Sequence, residues 1–396
     1  MKRKALAITL AAAMAMGTCA VTASAADGDK YTIGICQLVQ HEALDAATQG
    51  FKDEVTKELG EDAVTFDEQN AQGDSNTCST IINSFVSNNV DLILANATPA
   101  LQAAAAGTSD IPILGTSVTE YGVALGLDDF DGTVGGNISG TADLAPLDQQ
   151  AAMLNELFPD AKNVGLLYCS AEPNSQYQVD TVQAALEKLG YTCTQYGFSD
   201  SNDLSSVATT AADASDVLYV PTDNTVANNT ELVNNICEPK KVPIIAGEEG
   251  ICSGCGVATL SIDYYDLGVA TGKMAVQVLK GEANISEMPI EYAPQFTKEY
   301  NPTLCEALGV TVPDDYTGDV MGDLNKRRGR VLGMNPQSSG YQVIEADVPM
   351  TGMFGYCTTL RSMTGGRGSY SYEFARYEQA PADIQEKEIE KRAAEE

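Results

Sequence analysis

Short apolar runs alternate with stretches of helical period along most of this chain, and no other feature limits its fold as much. Runs at 31–36, 63–66, 91–95 and 111–114 read as strands, with helices expected at 41–59, 75–88 and from Thr98 onward. In the last of these a hydroxyl residue at the cap is followed by Pro99 in the first turn, where a missing N–H does no harm. A second series repeats the pattern. Its strands fall at 163–168, 192–196, 217–220, 242–246 and 257–262, and its helices at 174–189, 203–212, 224–236 and 264–280. Strands spaced by helices pair in parallel through right-handed crossovers. The expected fold class is therefore α/β, with two parallel sheets forming two lobes. In such sheets ligands sit beyond the carboxyl ends of the strands. Two lobes facing each other across those ends enclose a cleft that closes.

The basic residues break the chain into two parts. Arg is absent between Lys4 and Asn325, and seven follow: Arg327, Arg328, Arg330, Arg361, Arg367, Arg376 and Arg392. Residues 26–320 carry 10 Lys against 44 Asp and Glu, whereas residues 321–396 carry 10 Lys and Arg against 11 acids. The chain reads as two proteins joined near Val320. The acidity of the first argues against nucleic acid or anionic membrane as its partner.

The N-terminus has the layout of an export signal over residues 1–25. Lys2, Arg3 and Lys4 precede an apolar stretch at 5–16, and Ala23-Ser24-Ala25 forms an A-x-A cleavage site. Cleavage near Ala25 would place the mature chain outside the cytoplasm. Met16-Gly17-Thr18-Cys19 is a weak lipoprotein box, which leaves lipidation at Cys19 open. The ten Cys are scattered, unlike a small disulfide framework. Cys252 and Cys255 are the one close pair. They read as a disulfide or as two free thiols on a Gly-rich turn, with a thiol oxidoreductase site as a weaker alternative. No Gly-rich phosphate loop follows any strand, so no nucleotide cofactor is expected, and no cofactor or metal of another kind either.

Seven segments carry a family likeness. They are Ile33-Gly34-Ile35, His41-Glu42-Ala43-Leu44-Asp45, Gln69-Asn70-Ala71-Gln72-Gly73-Asp74, Ala97-Thr98-Pro99-Ala100, Ser170-Ala171-Glu172-Pro173-Asn174-Ser175, Pro221-Thr222-Asp223-Asn224-Thr225 and Asp263-Tyr264-Tyr265-Asp266-Leu267-Gly268. With them residues 27–316 resemble the type I solute-binding proteins of ABC importers, in the branch associated with aromatic amino acids. The resemblance implies no bond-breaking activity, a small-molecule ligand and an ABC permease as partner. The first lobe is expected from 27–145 and 264–300, the second from 146–263 and 301–316.

An amino-acid ligand needs partners for its carboxylate and its ammonium. Without Arg, the carboxylate must be met by a helix N-terminus and hydroxyls. Thr98, Pro99 and Ala100 supply one such terminus, and Thr116 and Ser117 supply hydroxyls at the next strand end. For the ammonium, Asp223 is the first choice, then Glu248 or Glu249. Asp263 is a binding or a hinge residue. Asn174 and Ser175 open a helix of the second lobe, Asn224 follows Asp223, and Gln40 and His41 end the first strand. With no Trp present, stacking must come from Tyr or Phe.

From Val310 onward a second likeness begins. The run 310–334 and the segments Val343-Ile344-Glu345-Ala346, Leu360-Arg361-Ser362-Met363-Thr364 and Gly366-Arg367-Gly368-Ser369 resemble the last domain of translation elongation factor G. That implies a partial α+β ferredoxin-like domain over 310–380. Helices are expected at 319–328 and 353–363, strands at 330–334, 341–348 and 368–377, and a charged helix or tail over 381–396. A ribosome is a partner only if this domain is functional. Without a GTP-binding domain no GTPase activity is expected. Residues 309–316 fit both families, so the chain reads as a chimera whose templates switch there.

Overall fold

The computed structural model describes residues 30–293, 295–310, 316–336, 342–353, 355–364 and 368–376. The proposed signal, Cys19 and the segment 381–396 lie outside them.

The first series builds β1 (Tyr31–Gln37), α1 (Glu42–Leu59), β2 (Val64–Asn70), α2 (Ser75–Asn88), β3 (Leu92–Asn96), α3 (Thr98–Gly107), β4 (Ile113–Val118), α4 (Tyr121–Leu125) and β5 (Ile138–Ala142). The second builds α5 (Leu147–Leu157), β6 (Asn163–Cys169), α6 (Pro173–Lys188), β7 (Thr192–Phe198), α7 (Ser201–Ala214), β8 (Val217–Val220), α8 (Asn224–Ala227), α9 (Thr230–Cys237), β9 (Ile244–Ala246), α10 (Glu249–Gly254) and β10 (Ala258–Ser261). The chain then returns through α11 (Tyr264–Leu279), β11 (Glu291–Tyr292), β12 (Thr297–Tyr300) and α12 (Pro302–Leu308).

Two six-stranded sheets result, ordered β11-β5-β4-β3-β1-β2 and β12-β10-β9-β8-β6-β7. All their pairings are parallel except β12 on β10. This is the two-lobed α/β architecture expected. The second crossing back comes earlier than residue 300, because β12 already belongs to the second sheet.

Strand periodicity explains the layering. Ile33, Ile35, Leu92, Leu94 and Leu114 face Phe51, Val55 and Met274 of α1 and α11, whereas Cys36, Ile93, Ala95 and Ile113 face Ile82, Phe85 and Leu101 of α2 and α3. Successive side chains leave opposite faces of a strand, and both faces here are covered, so the strands read as unbroken apolar runs. The second lobe repeats this. Leu166, Val217, Tyr219 and Ile245 pack under α5 and α6, while Leu167, Leu218, Val220 and Ile244 pack under α7, α9 and α10.

Residues from 317 form a small unit with a core of its own. It contains α13 (Thr317–Lys326), β13 (Arg330–Pro336), β14 (Gln342–Asp347) and α14 (Tyr356–Met363), with β13 and β14 antiparallel. Val320, Leu324, Tyr356 and Leu360 are its core. Of the strand expected at 368–377, the described residues 368–376 enter no sheet pairing, and their Tyr372 and Phe374 are exposed.

Candidate functional site

In both sheets the strand order reverses direction between the first and third strand of the series, the switch point where α/β sheets bind ligands. His41 and Thr98 follow β1 and β3 in the first lobe, and Asn174 and Asp223 follow β6 and β8 in the second. The two switch points are brought together. His41 Nε2 lies 3.2 Å from Asn224 Oδ1, and Ser253 Oγ donates to Glu42 Oε2 at 3.2 Å. Both contacts join one lobe to the other. Asn224 is oriented for its contact, since its Nδ2 donates to Glu172 Oε2 at 2.7 Å and leaves Oδ1 for His41. With Nε2–H as donor, Nδ1 is the acceptor of a neutral ring. Burial lowers the His41 pKa, and that favours the neutral form.

Several polar atoms here are buried without a partner: His41 Nδ1, Thr98 Oγ1, Ser117 Oγ, Asn174 Oδ1 and Asp143 Oδ1. A buried polar atom with no partner costs about 1–3 kcal/mol, so a cluster of them on facing strand ends marks a place built for another molecule. The backbone is strained at the same point. Ala97, just after β3, and Ser117, next to last in the adjacent β4, have φ of 92° and 53°, a region L-residues occupy at a cost of about 1–3 kcal/mol. Ala97 N donates to Thr116 O at 3.0 Å, tying the two strained segments together.

The helix starts divide by charge. α1, α3 and α6 begin without a side-chain cap bond, α3 and α6 with Pro in the first turn. α8, α10 and α11 are capped by Asp223, Glu248 and Asp263. The uncapped ends keep their partial positive charge, about half a unit each, available to an anion. Thr98, Pro99 and Ala100 are buried in the first turn of α3, Ser117 sits beside it, and Asn174 and Ser175 occupy the first turn of α6.

Other residues proposed from the sequence have different surroundings. Thr116 Oγ1 joins Thr141 and Thr271 in a buried hydroxyl cluster inside the first lobe. Asp223 accepts from Cys169 N at 2.7 Å and Val226 N at 2.9 Å. Burial, then the nearby Glu172, pushes it up to about 7. Glu248 caps α10 through the N–H groups of Gly250 and Ile251, and burial pushes it up to about 7. Glu249 is half-buried; burial, then Glu299 and other acids around it, pushes it up to about 8. Asp263 and Gln40 are exposed; Gln40 lines a polar cavity of about 230 Å³ with Gln37, Asp45, Glu68 and Asn70. A second cavity, of about 210 Å³, lies between Glu249, Cys252, Glu299 and Asn301, and no orphaned atom belongs to its lining. Sequence reading missed Asp143 and Glu172. Asp143 follows β5, a strand too rich in small residues to register, and Glu172 was quoted only as part of a motif.

Comparison with known proteins identifies the architecture. The model of the ABC transporter substrate binding protein family matches residues 32–318. The chain belongs to that family. A Tyrosine-binding protein of Clostridioides difficile (strain R20291) is 39% identical over 262 residues, covering 65% of this chain and 75% of that protein. The ABC domain from Streptococcus pneumonia in complex with L-Trp superposes with a TM-score of 0.69 at 34% identity, over 72% of this chain and 97% of that one. A ligand-free, open substrate binding protein with adhesive properties from Clostridium difficile gives 0.56 over the same shares, although it is 38% identical. The structure as a whole superposes better on the L-Trp complex than on the open relative of slightly higher identity.

The model of the elongation factor G C-terminus matches residues 305–388, and its overlap with the first match encloses the shared stretch. Arg327 there is engaged locally: Nε to Asp323, Nη1 to Gly352 O and Nη2 to Thr359 Oγ1, with its guanidinium over the Tyr356 ring. Arg330 and Arg376 share Asp347. Cys252 and Cys255 are both buried free thiols rather than a disulfide. Burial raises both above the ordinary thiol range, which suppresses the thiolate that redox chemistry requires.

Proposed function

We propose that residues 30–310 capture an aromatic L-amino acid outside the cytoplasm by closure of the two lobes, and present it to an ABC permease for import. The observation that carries this is the set of orphaned atoms from both lobes, Thr98 Oγ1 and Ser117 Oγ on one side and Asn174 Oδ1 on the other. They stand at two uncapped helix N-termini in a region without Arg. Thr98 Oγ1 and Ser117 Oγ, with the helix N–H groups, fit a ligand carboxylate, whereas Asn174 Oδ1 can only accept and fits an N–H of the ligand. The relatives that bind tyrosine and L-Trp support an aromatic side chain. Closure follows from ligand groups bridging both lobes, since only a ligand with different affinity for the closed state shifts the equilibrium. Among the described residues no helix is long and apolar enough to cross a membrane. Export is assigned to the segment before residue 30 on its basic, apolar and A-x-A layout.

The test is a thermal-shift screen of the twenty amino acids. At a hundredfold excess over Kd a ligand adds about 2.7 kcal/mol to stability. Phe, Tyr or Trp is expected to raise the melting temperature on the order of 5 °C, with a fall in the radius of gyration by solution scattering. No shift with any of the twenty overturns the reading.

A further inference from the structure

We propose that Asp143 receives the ammonium group of the ligand and that Tyr264 holds its carboxylate in position for this; the assignment rests on the amino-acid reading above. Four carboxylates are buried at the strand ends where the lobes meet: Asp143, Glu172, Asp223 and Glu248. Three are fully used by the fold. Glu172 accepts from the backbone and side chains of Asn224 and Thr225. Asp223 gives one oxygen to Cys169 N and the other to Val226 N, and Glu248 gives its two to Gly250 and Ile251. Asp143 is different. Its Oδ2 accepts from Tyr264 OH at 2.9 Å, while Oδ1 has no partner, at 3% exposure.

A buried carboxylate with an open oxygen needs a donor, and a charged donor most of all. None of the ion pairs among the described residues includes Asp143. The chain is also short of cations to offer, with no Arg between Lys4 and Asn325. An ammonium group brought by the ligand supplies both the charge and the hydrogen bond.

Position argues the same way. Asp143 follows β5, where the chain first leaves the first lobe, and Tyr264 opens α11, where it returns. Their hydrogen bond ties two crossovers together at the hinge, where closure moves atoms least. Asp143 N donates to Val118 O at 3.3 Å, so the residue sits one strand from Ser117. Glu248 of the second lobe is near enough for the two charges to interact. Asp143 therefore lies at the edge of the orphaned cluster, beside the hydroxyls assigned to the other end of an amino acid.

The experiment compares L-Tyr and L-Trp with their desamino analogues, 3-(4-hydroxyphenyl)propionate and 3-(indol-3-yl)propionate, by calorimetry on wild type, Asp143→Asn and Tyr264→Phe. Wild type is expected to prefer the amino acid. In Asp143→Asn that preference should fall about 30-fold, through weaker amino-acid binding with the analogue unchanged or tighter. In Tyr264→Phe it should fall about fivefold. An Asp143→Asn protein that folds by circular dichroism and keeps the wild-type preference overturns the assignment. So does one that loses both ligands equally, which is what a purely structural role gives. If Asp143→Asn does not fold, Tyr264→Phe decides, and an unchanged preference overturns it. Wild type binding neither amino acid overturns the underlying reading, a result distinct from all of these.

Discussion

Glu249 stands among like charges. Burial, then the charges of Glu299, Glu248, Asp263 and Glu42, pushes its carboxyl from an ordinary 4.5 up to about 8. A carboxyl whose pKa is higher folded than unfolded holds its proton better in the folded state. Stability from it is complete below about pH 4.5 and is lost as pH rises toward 8. Asp223 and Glu248, both near 7, act in the same direction. The melting temperature should therefore fall between pH 5 and pH 8, and Glu249→Gln should flatten that fall; a scan in which it steepens contradicts the picture. The same residue scale shows where sequence reasoning reached its limit. Thr98, Ser117 and Asn174 could be picked because they sit just past recognisable strands. Asp223 could be picked for the same reason, but sequence does not reveal which acids will be spent capping helices. Asp143 stayed hidden because the strand before it, Ile-Ser-Gly-Thr-Ala, has one large apolar residue and nothing for periodicity to find.

At the scale of elements, the seam between α1 and α11 fastens the returning chain to the first lobe. A Cβ on Gly268 would lie 2.0 Å from Ala47 O, and one on Gly50 2.1 Å from Tyr265 O. Both obstacles are backbone, which cannot swing aside, so the helices touch only because these positions lack side chains. Gly268→Ala should destabilise the protein by about 2–3 kcal/mol, seen as a lower denaturation midpoint; a change within about 0.5 kcal/mol means the helices separate freely. Helices and strands with strong apolar runs were legible almost to the residue, as at α2 and β8. The stretch 224–236, read as one helix, divides at Asn228 and Asn229, because Asn side chains compete for backbone groups. Asn229 Nδ2 donates to Thr225 O at 2.7 Å. β12 joins the second sheet by an antiparallel pairing that no local pattern announces.

The whole molecule is two folding problems in one chain, and the arginine boundary made that legible. Six hydrophobic clusters are described, and the one built on Val320, Leu324, Tyr356 and Leu360 draws on no residue of the other five. The binding protein closes its own C-terminus. α12 packs Leu304 and Cys305 into the second lobe, Val310 covers that core, and Tyr316 OH donates to Lys298 O at 3.0 Å. Each of these anchors precedes residue 320, and the orphaned polar atoms all precede residue 260. Nothing after Tyr316 is needed to position the site. A chain ending at residue 320 should therefore keep its amino-acid affinity within about twofold and its first melting transition within about 1 °C, as expected for changes away from packed or bonded features. The full chain should show an additional low-temperature transition from the small second core, absent from the truncated chain. Loss of ligand binding on truncation would make the elongation-factor-like segment part of the binding protein rather than its neighbour.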